Sequence, residues 1–214
     1  MQAPQKEIDA RLKPLIQRLH AQQPDDPDQP DYWALKAARS FPLPGGHLDR
    51  GIFSIFLLNL LHLKPGEGTF QDAGVLHAYL HGTNIELMAN SDNVLRGGLT
   101  PKHVDVQELL RTVQFKCGRP DILQGEFISE CEQCYHTPAA DFQLSRLRIP
   151  ANQSFAQQTG GPEIWLVLQG DVDVKSEASA QHLCKGNALF VAAHTEVTLS
   201  AAADSMLCRA TVPE

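Results

Sequence analysis

The hydrophobic rhythm of this chain changes at the turn Pro42-Leu43-Pro44-Gly45-Gly46. Before it, Ile8, Leu12, Leu15, Ile16 and Leu19 recur at the spacing of one helix face. After it, apolar runs are short and separated by Gly, Pro, Asn and Asp, which is the punctuation of consecutive β-strands. A chain with both rhythms is expected to be mainly β with a small helical segment at its start. Two short helices alone bury too little apolar surface to be stable, so that segment must pack on something else.

Residues 1–40 form the expected helical segment. Pro14 should limit or kink its first helix. The run Pro24-Asp25-Asp26-Pro27-Asp28-Gln29-Pro30 is a polar linker, after which Asp31 is placed to cap a second helix over residues 32–39. Residues 41–116 are expected as a partial barrel. Its strands at 58–64, 74–80 and 85–89 run into Pro65-Gly66-Glu67-Gly68, His81-Gly82-Thr83-Asn84 and Asn90-Ser91-Asp92-Asn93. One helix interrupts it, with Asp105 as cap, Glu108 three residues on, and Val106, Leu109, Leu110 and Val113 at helical spacing.

Residues 117–214 are expected to form a second, C-terminal barrel. Its β pattern resumes near Asp141, with Phe142, Leu144, Leu147 and Ile149 as the apolar members of the first strand. A long strand over residues 163–168 meets a Gln169-Gly170-Asp171 turn, and Val172 and Val174 alternate beyond it. No cluster of ligand side chains is visible between Glu163 and His194, so this barrel reads as structural. The two β regions are compatible with a divergent internal duplication.

A net charge of −7, most of it on residues 117–214, offers no basic excess to hold a nucleic-acid backbone. The longest apolar stretch, residues 52–63, is broken by Ser54, Asn59 and His62 and falls short of the roughly 20 residues a membrane helix needs. Lys6, Glu7, Asp9 and Arg11 occupy the place of a signal peptide's apolar core. With five cysteines, an odd set, the chain reads as cytoplasmic.

Several side chains carry possible chemistry. Strand alternation places His77, Tyr79 and His81 on one face, where an imidazole beside a phenol suits metal binding or proton transfer, although a satisfied core histidine is the commoner outcome. Glu86 stands among Ile85, Leu87 and Met88, where a carboxylate either needs a partner or points outward. Arg96 follows Asn90, Ser91, Asp92 and Asn93, whose side chains can fix the loop backbone and present a guanidinium to an anionic oxygen, or to a surface salt bridge. Cys131-Glu-Gln-Cys134 with His136 has redox-pair or half-zinc-site spacing but no second CxxC, which favours incidental thiols.

These residues bring a family into view. The segments Gly74-Val-Leu-His77-Ala-Tyr79-Leu and Glu86-Leu-Met-Ala-Asn-Ser-Asp-Asn-Val-Leu-Arg96-Gly-Gly-Leu-Thr-Pro-Lys102, with Leu63-Lys-Pro-Gly-Glu67 upstream, resemble type I phosphomannose isomerase, a zinc enzyme of the cupin superfamily. The resemblance implies cupin-like jelly-roll barrels, one partial and one C-terminal. It implies an aldose–ketose isomerisation between mannose 6-phosphate and fructose 6-phosphate through a cis-enediol.

It further implies that His77 is a zinc ligand, Tyr79 the active-site tyrosine beside it, Glu86 a candidate acid or base, and Arg96 the stabiliser of developing charge. Family members are about twice as long, and their Gln-x-His pair and further Glu ligand precede the helical insert. The chain therefore reads as a C-terminal half, with one zinc ligand present and partnership with a missing N-terminal half or self-association expected. Two other readings stay open, a non-catalytic cupin binding or interaction module and an unrelated metal-free cupin with sugar affinity.

Overall fold

The computed structural model describes residues 2–91 and 93–213. It divides into two compact units that interleave along the sequence. One comprises residues up to Lys64 with Gln71–Asn84 and Ser91–Pro120; the other comprises Pro65–Phe70, Ile85–Asn90 and the chain from Asp121 onward.

The first unit is built on helices α1 (Gln5–Gln22), α2 (Pro30–Ser40) and α3 (Ile52–Leu57). The apolar stripe of α1 is buried as its spacing predicts: Ile8, Leu12, Ile16 and Leu19 pack with Ala34, Leu35 and Ala37 of α2 and with Ile52. Helix α1 runs through Pro14 without ending there. Pro14 and Ala10, whose carbonyl loses its helical partner, are both on the exposed face, so water can take the lost bond.

Helix α2 starts two residues earlier than expected, with Pro30 at its first position and Gln29 as cap. Asp31 is therefore not the cap. It sits in the first turn, where its charge still favours the helix dipole. The linker before it is fixed by the Trp33 indole N–H, which donates to the Pro27 carbonyl at 2.7 Å.

Asp9 is the one buried carboxylate of α1. It accepts from His47 Nδ1 at 2.6 Å, from the Leu48 N–H at 3.1 Å and from Gln5 Nε2 at 2.9 Å, with Lys13 Nζ at 3.5 Å. The His47 hydrogen bond, followed by that from Leu48, holds the carboxyl well below the usual carboxylate range. A folded value below the unfolded one means the stabilisation is complete above the ordinary pKa of about 3.9 and is lost as pH falls from there toward the folded value. Asp9→Asn is thus expected to destabilise the chain at about pH 7 and by progressively less below about pH 4, read from urea titrations by circular dichroism. A penalty unchanged down to about pH 3 would show that this carboxylate has no such linkage.

Helix α4 (Val106–Thr112) forms where expected, and the Asp105 side chain accepts from the Glu108 N–H at 3.0 Å. The strands expected at residues 58–64, 74–80 and 85–89 are not there: these segments carry no ladder in the structure. Alternation marks which side chains could share a face. A strand exists only where a neighbour's N–H and C=O groups meet its own, and here no neighbouring strand does so.

The second unit bears out the mainly β expectation. Two antiparallel sheets contain ten strands among the described residues. The larger has the order β1 (Glu126–Phe127), β2 (Glu132–Tyr135), β3 (Gln143–Ile149), β10 (Ser205–Thr211), β5 (Glu163–Gln169), β8 (Ala188–Val191). The smaller has the order β4 (Ser154–Gln158), β9 (Glu196–Ser200), β6 (Asp171–Ser176), β7 (Ala180–Cys184). From β3 to β6 the chain switches sheet at every strand, as in a jelly roll.

The core lies between the sheets, with Leu147, Ile149, Trp165, Val167 and Leu207 from one and Val172, Val174, Leu183, Val197 and Leu199 from the other. In β3 the inward face is Ser145, Leu147 and Ile149, with Leu144 half-buried on the opposite face; of the four apolar residues expected in this strand, only Phe142 falls outside it. Gln169-Gly170-Asp171 is a corner between sheets and not a hairpin turn, because β5 pairs with β10 and β8 while β6 pairs with β7 and β9. Gly170 has φ +69°, and a Cβ there would collide with Ser205 Oγ. Only glycine makes that corner.

Candidate active site

In the first unit, His77 and Tyr79 project to the same side, with ring centroids 5.9 Å apart and planes at 68°. The expected juxtaposition is therefore present without the strand that was expected to create it. Both residues are exposed, and His77 Nδ1 lies 3.1 Å from the Val75 carbonyl. Leu76 reaches the backbone of Gly97, where a Cβ would meet its Cδ2 at 3.5 Å. That contact brings the stretch carrying His77 beside the one carrying Arg96.

Arg96 is half-buried, and its loop is anchored by a residue that no sequence motif singles out. One Asp49 carboxylate oxygen accepts from the Gly51 N–H at 2.7 Å and the other from the Leu99 N–H at 3.2 Å. Gly98, at φ +118°, passes so close to Gly51 that a Cβ would lie 3.0 Å from its Cα. Of the run expected to hold the loop, Ser91 Oγ accepts from the Asn93 N–H at 3.3 Å, while Asp92 lies outside the described residues. The clamp is thus long-range, from Asp49, more than local.

Glu86 belongs to the second unit and is exposed there. In the same unit Tyr135 Oη donates to the Gly66 carbonyl at 2.7 Å and Gln124 Nε2 donates to Glu67 at 3.0 Å. The Pro65-Gly66-Glu67 turn is held by these bonds.

Of the Cys131–Cys134 pair, Cys134 is not poised as a nucleophile. Cys134 is buried, its Sγ lies 4.0 Å from His136 Nδ1, and burial pushes its thiol above the usual range. Burial likewise pushes Cys208 up to about 11. Neither is a ready thiolate at neutral pH.

Two constellations escaped the sequence. Inside the β unit, Arg209 bridges two buried carboxylates, Glu132 at 2.7 Å and Glu163 at 3.6 Å. Glu163 also accepts from the Trp165 indole at 2.7 Å, and Arg209 donates to Gln157 at 2.9 Å. The only sequence signal was the parity of Glu163 with Trp165 and Val167. On the outer face, Asp171, His182 and Cys184 converge, which corrects the expectation that this barrel has no clustered ligands.

A zinc ion at His77 needs more donors than His77 brings. The described residues place Asp171, His182 and Cys184 in a three-donor cluster, and His77 in none. One imidazole does not by itself make a catalytic zinc site.

No protein-family model matches the chain. It is 37% identical over 207 residues to mannose-6-phosphate isomerase 1 of Arabidopsis thaliana, covering 96% of this chain and 46% of that protein. With mannose-6-phosphate isomerase of Escherichia coli K12 it shares 36% identity over 147 residues, covering 68% and 37%. Among solved structures, mannose 6-phosphate isomerase of Salmonella typhimurium, bound to fructose 6-phosphate and zinc, superposes with a TM-score of 0.79 at 28% identity. That superposition covers 100% of this chain and 52% of the other. The chain belongs to the phosphomannose isomerase family. It spans about half the length of the mannose-6-phosphate isomerases it matches.

Proposed function

We propose that this chain supplies the C-terminal half of a mannose-6-phosphate isomerase. In this reading, interconversion of mannose 6-phosphate and fructose 6-phosphate requires a second polypeptide segment that brings the remaining zinc ligands and the phosphate contacts. The observation that carries the reading is continuity: similarity runs through 96% of this chain yet reaches 46% of the Arabidopsis relative.

The chemistry follows from the reaction. Moving a proton between C1 and C2 needs a base and a stabiliser for the charge on the enediolate oxygens. Arg96, held on its Asp49-clamped loop, is the stabiliser; His77 contributes one metal ligand, and Tyr79 and Glu86 are the acid–base candidates. Large apolar side chains remain exposed, among them Tyr79 at 56% and Phe115 at 83% in the first unit and Met88 at 54% in the second. Such surface favours covering by a complementing segment or by another copy of the chain.

The test is complementation. The purified chain alone is expected to show negligible turnover of mannose 6-phosphate. Mixed with the N-terminal half of the Escherichia coli relative it is expected to gain turnover that His77→Ala abolishes. Turnover by the chain alone would overturn the proposal, because the site would then be complete within it. A stable complex without turnover would favour the non-catalytic binding module instead.

A further inference from the structure

The hairpin β6–β7 is the edge of the four-stranded sheet. Its register sets Asp171 opposite Cys184 and Asp173 opposite His182. Val172, Val174 and Leu183 turn into the core, so the alternation sends these four donor-bearing side chains to the solvent face together. One ligand atom each from Asp171, His182 and Cys184 lies within 4.8 Å of the others.

We propose that Asp171, His182 and Cys184 bind a divalent transition-metal ion of the zinc class on the outer face of this sheet. The site is independent of the isomerase reading, since none of these residues belongs to the segments that carry it.

Three arguments support the assignment. Metal–ligand bonds of 2.0–2.3 Å in a tetrahedral sphere place donor atoms roughly 3.5 Å apart, so exposed side chains need to close by only about an ångström. His182 Nδ1 lies 2.8 Å from Asp173 Oδ1, the carboxylate–histidine pairing that orients a metal-bound imidazole and raises its basicity. A sulfur, a nitrogen and an oxygen donor together suit zinc or cobalt and disfavour magnesium and calcium, which take oxygen shells. The fourth position faces solvent and takes water.

The backbone around the cluster is fixed. At the hairpin turn the Ser176 N–H donates to the Ser179 carbonyl at 2.8 Å, and at the end of β7 the Cys184 N–H donates to Asn187 Oδ1 at 3.0 Å. An ion here would tie an edge strand to its neighbour.

The test uses the full chain, reduced and stripped by a chelator, titrated with Co2+ and followed by absorption. One equivalent is expected to produce a sulfur-to-cobalt charge-transfer band, which Zn2+ displaces. Cys184→Ser should remove the band and Cys131→Ser should leave it. His182→Ala should weaken cobalt binding at least about tenfold, and Asp173→Asn by about 10- to 100-fold. Zn2+ should raise the thermal midpoint of the wild type and not that of Cys184→Ser. All of these side chains but the half-buried Cys131 and Asp173 are exposed, so circular dichroism should report an unchanged fold. Absence of any thiolate band, or a band that survives Cys184→Ser, would overturn the assignment.

Discussion

Arg209→Met is expected to destabilise the β unit by about 3–5 kcal/mol, the cost of leaving buried carboxylates without their counter-charge. Glu132 and Glu163 have side chains 5% and 3% exposed, and Arg209 is itself only 14% exposed. With the guanidinium gone, both carboxylates must be protonated, hydrated or expelled from the barrel. Urea unfolding followed by Trp165 fluorescence in a Trp33→Phe background reads the β unit alone, because these are the two tryptophans of the chain.

The cost belongs to the broken cluster and not to the salt bridge as such. The combination Arg209→Met, Glu132→Met and Glu163→Gln should therefore recover most of the loss, because the amide introduced by Glu163→Gln keeps a carbonyl oxygen as acceptor for the Trp165 indole. A loss below about 1 kcal/mol for Arg209→Met would show that the carboxylates are not confined as described.

That cluster also shows where the sequence stops being readable. The stripe of α1 and the Asp105 cap were legible because the residues that define each recur three or four positions apart, within about one helical turn. Strand β2 was not, since its inward face is Glu132 and Cys134, and a buried glutamate reads as a surface residue until its arginine, 77 positions on, is known. The opposite error occurred over residues 58–89, where apolar alternation was real and partner strands were absent. His77 beside Tyr79 followed from a two-residue spacing, whereas the clamp on the Arg96 loop depends on Asp49, 50 residues from the Leu99 N–H it holds. The Asp171, His182 and Cys184 cluster is a product of hairpin register, so no linear spacing announces it.

In an enzyme completed by an N-terminal half, Arg96→Ala should lower kcat by about 10²- to 10³-fold while changing KM little. The clamp makes this expectation specific. A guanidinium on a loop held at the Leu99 N–H by Asp49, itself fixed by the Gly51 N–H, is oriented before charge develops, so its benefit falls on the enediolate more than on the uncharged carbonyl of the ground state. Asp49→Ala should then lower kcat in the same sense and by less, as loosening of a positioning residue would. His77→Ala should behave differently, removing the zinc and the activity together, because a metal sphere loses its ion when a ligand goes. Measured side by side, bound zinc and kcat separate charge stabilisation from metal retention. If Arg96→Ala raised KM and left kcat intact, the arginine would clamp the sugar phosphate equally in ground and transition states, and the role assigned to it would be wrong.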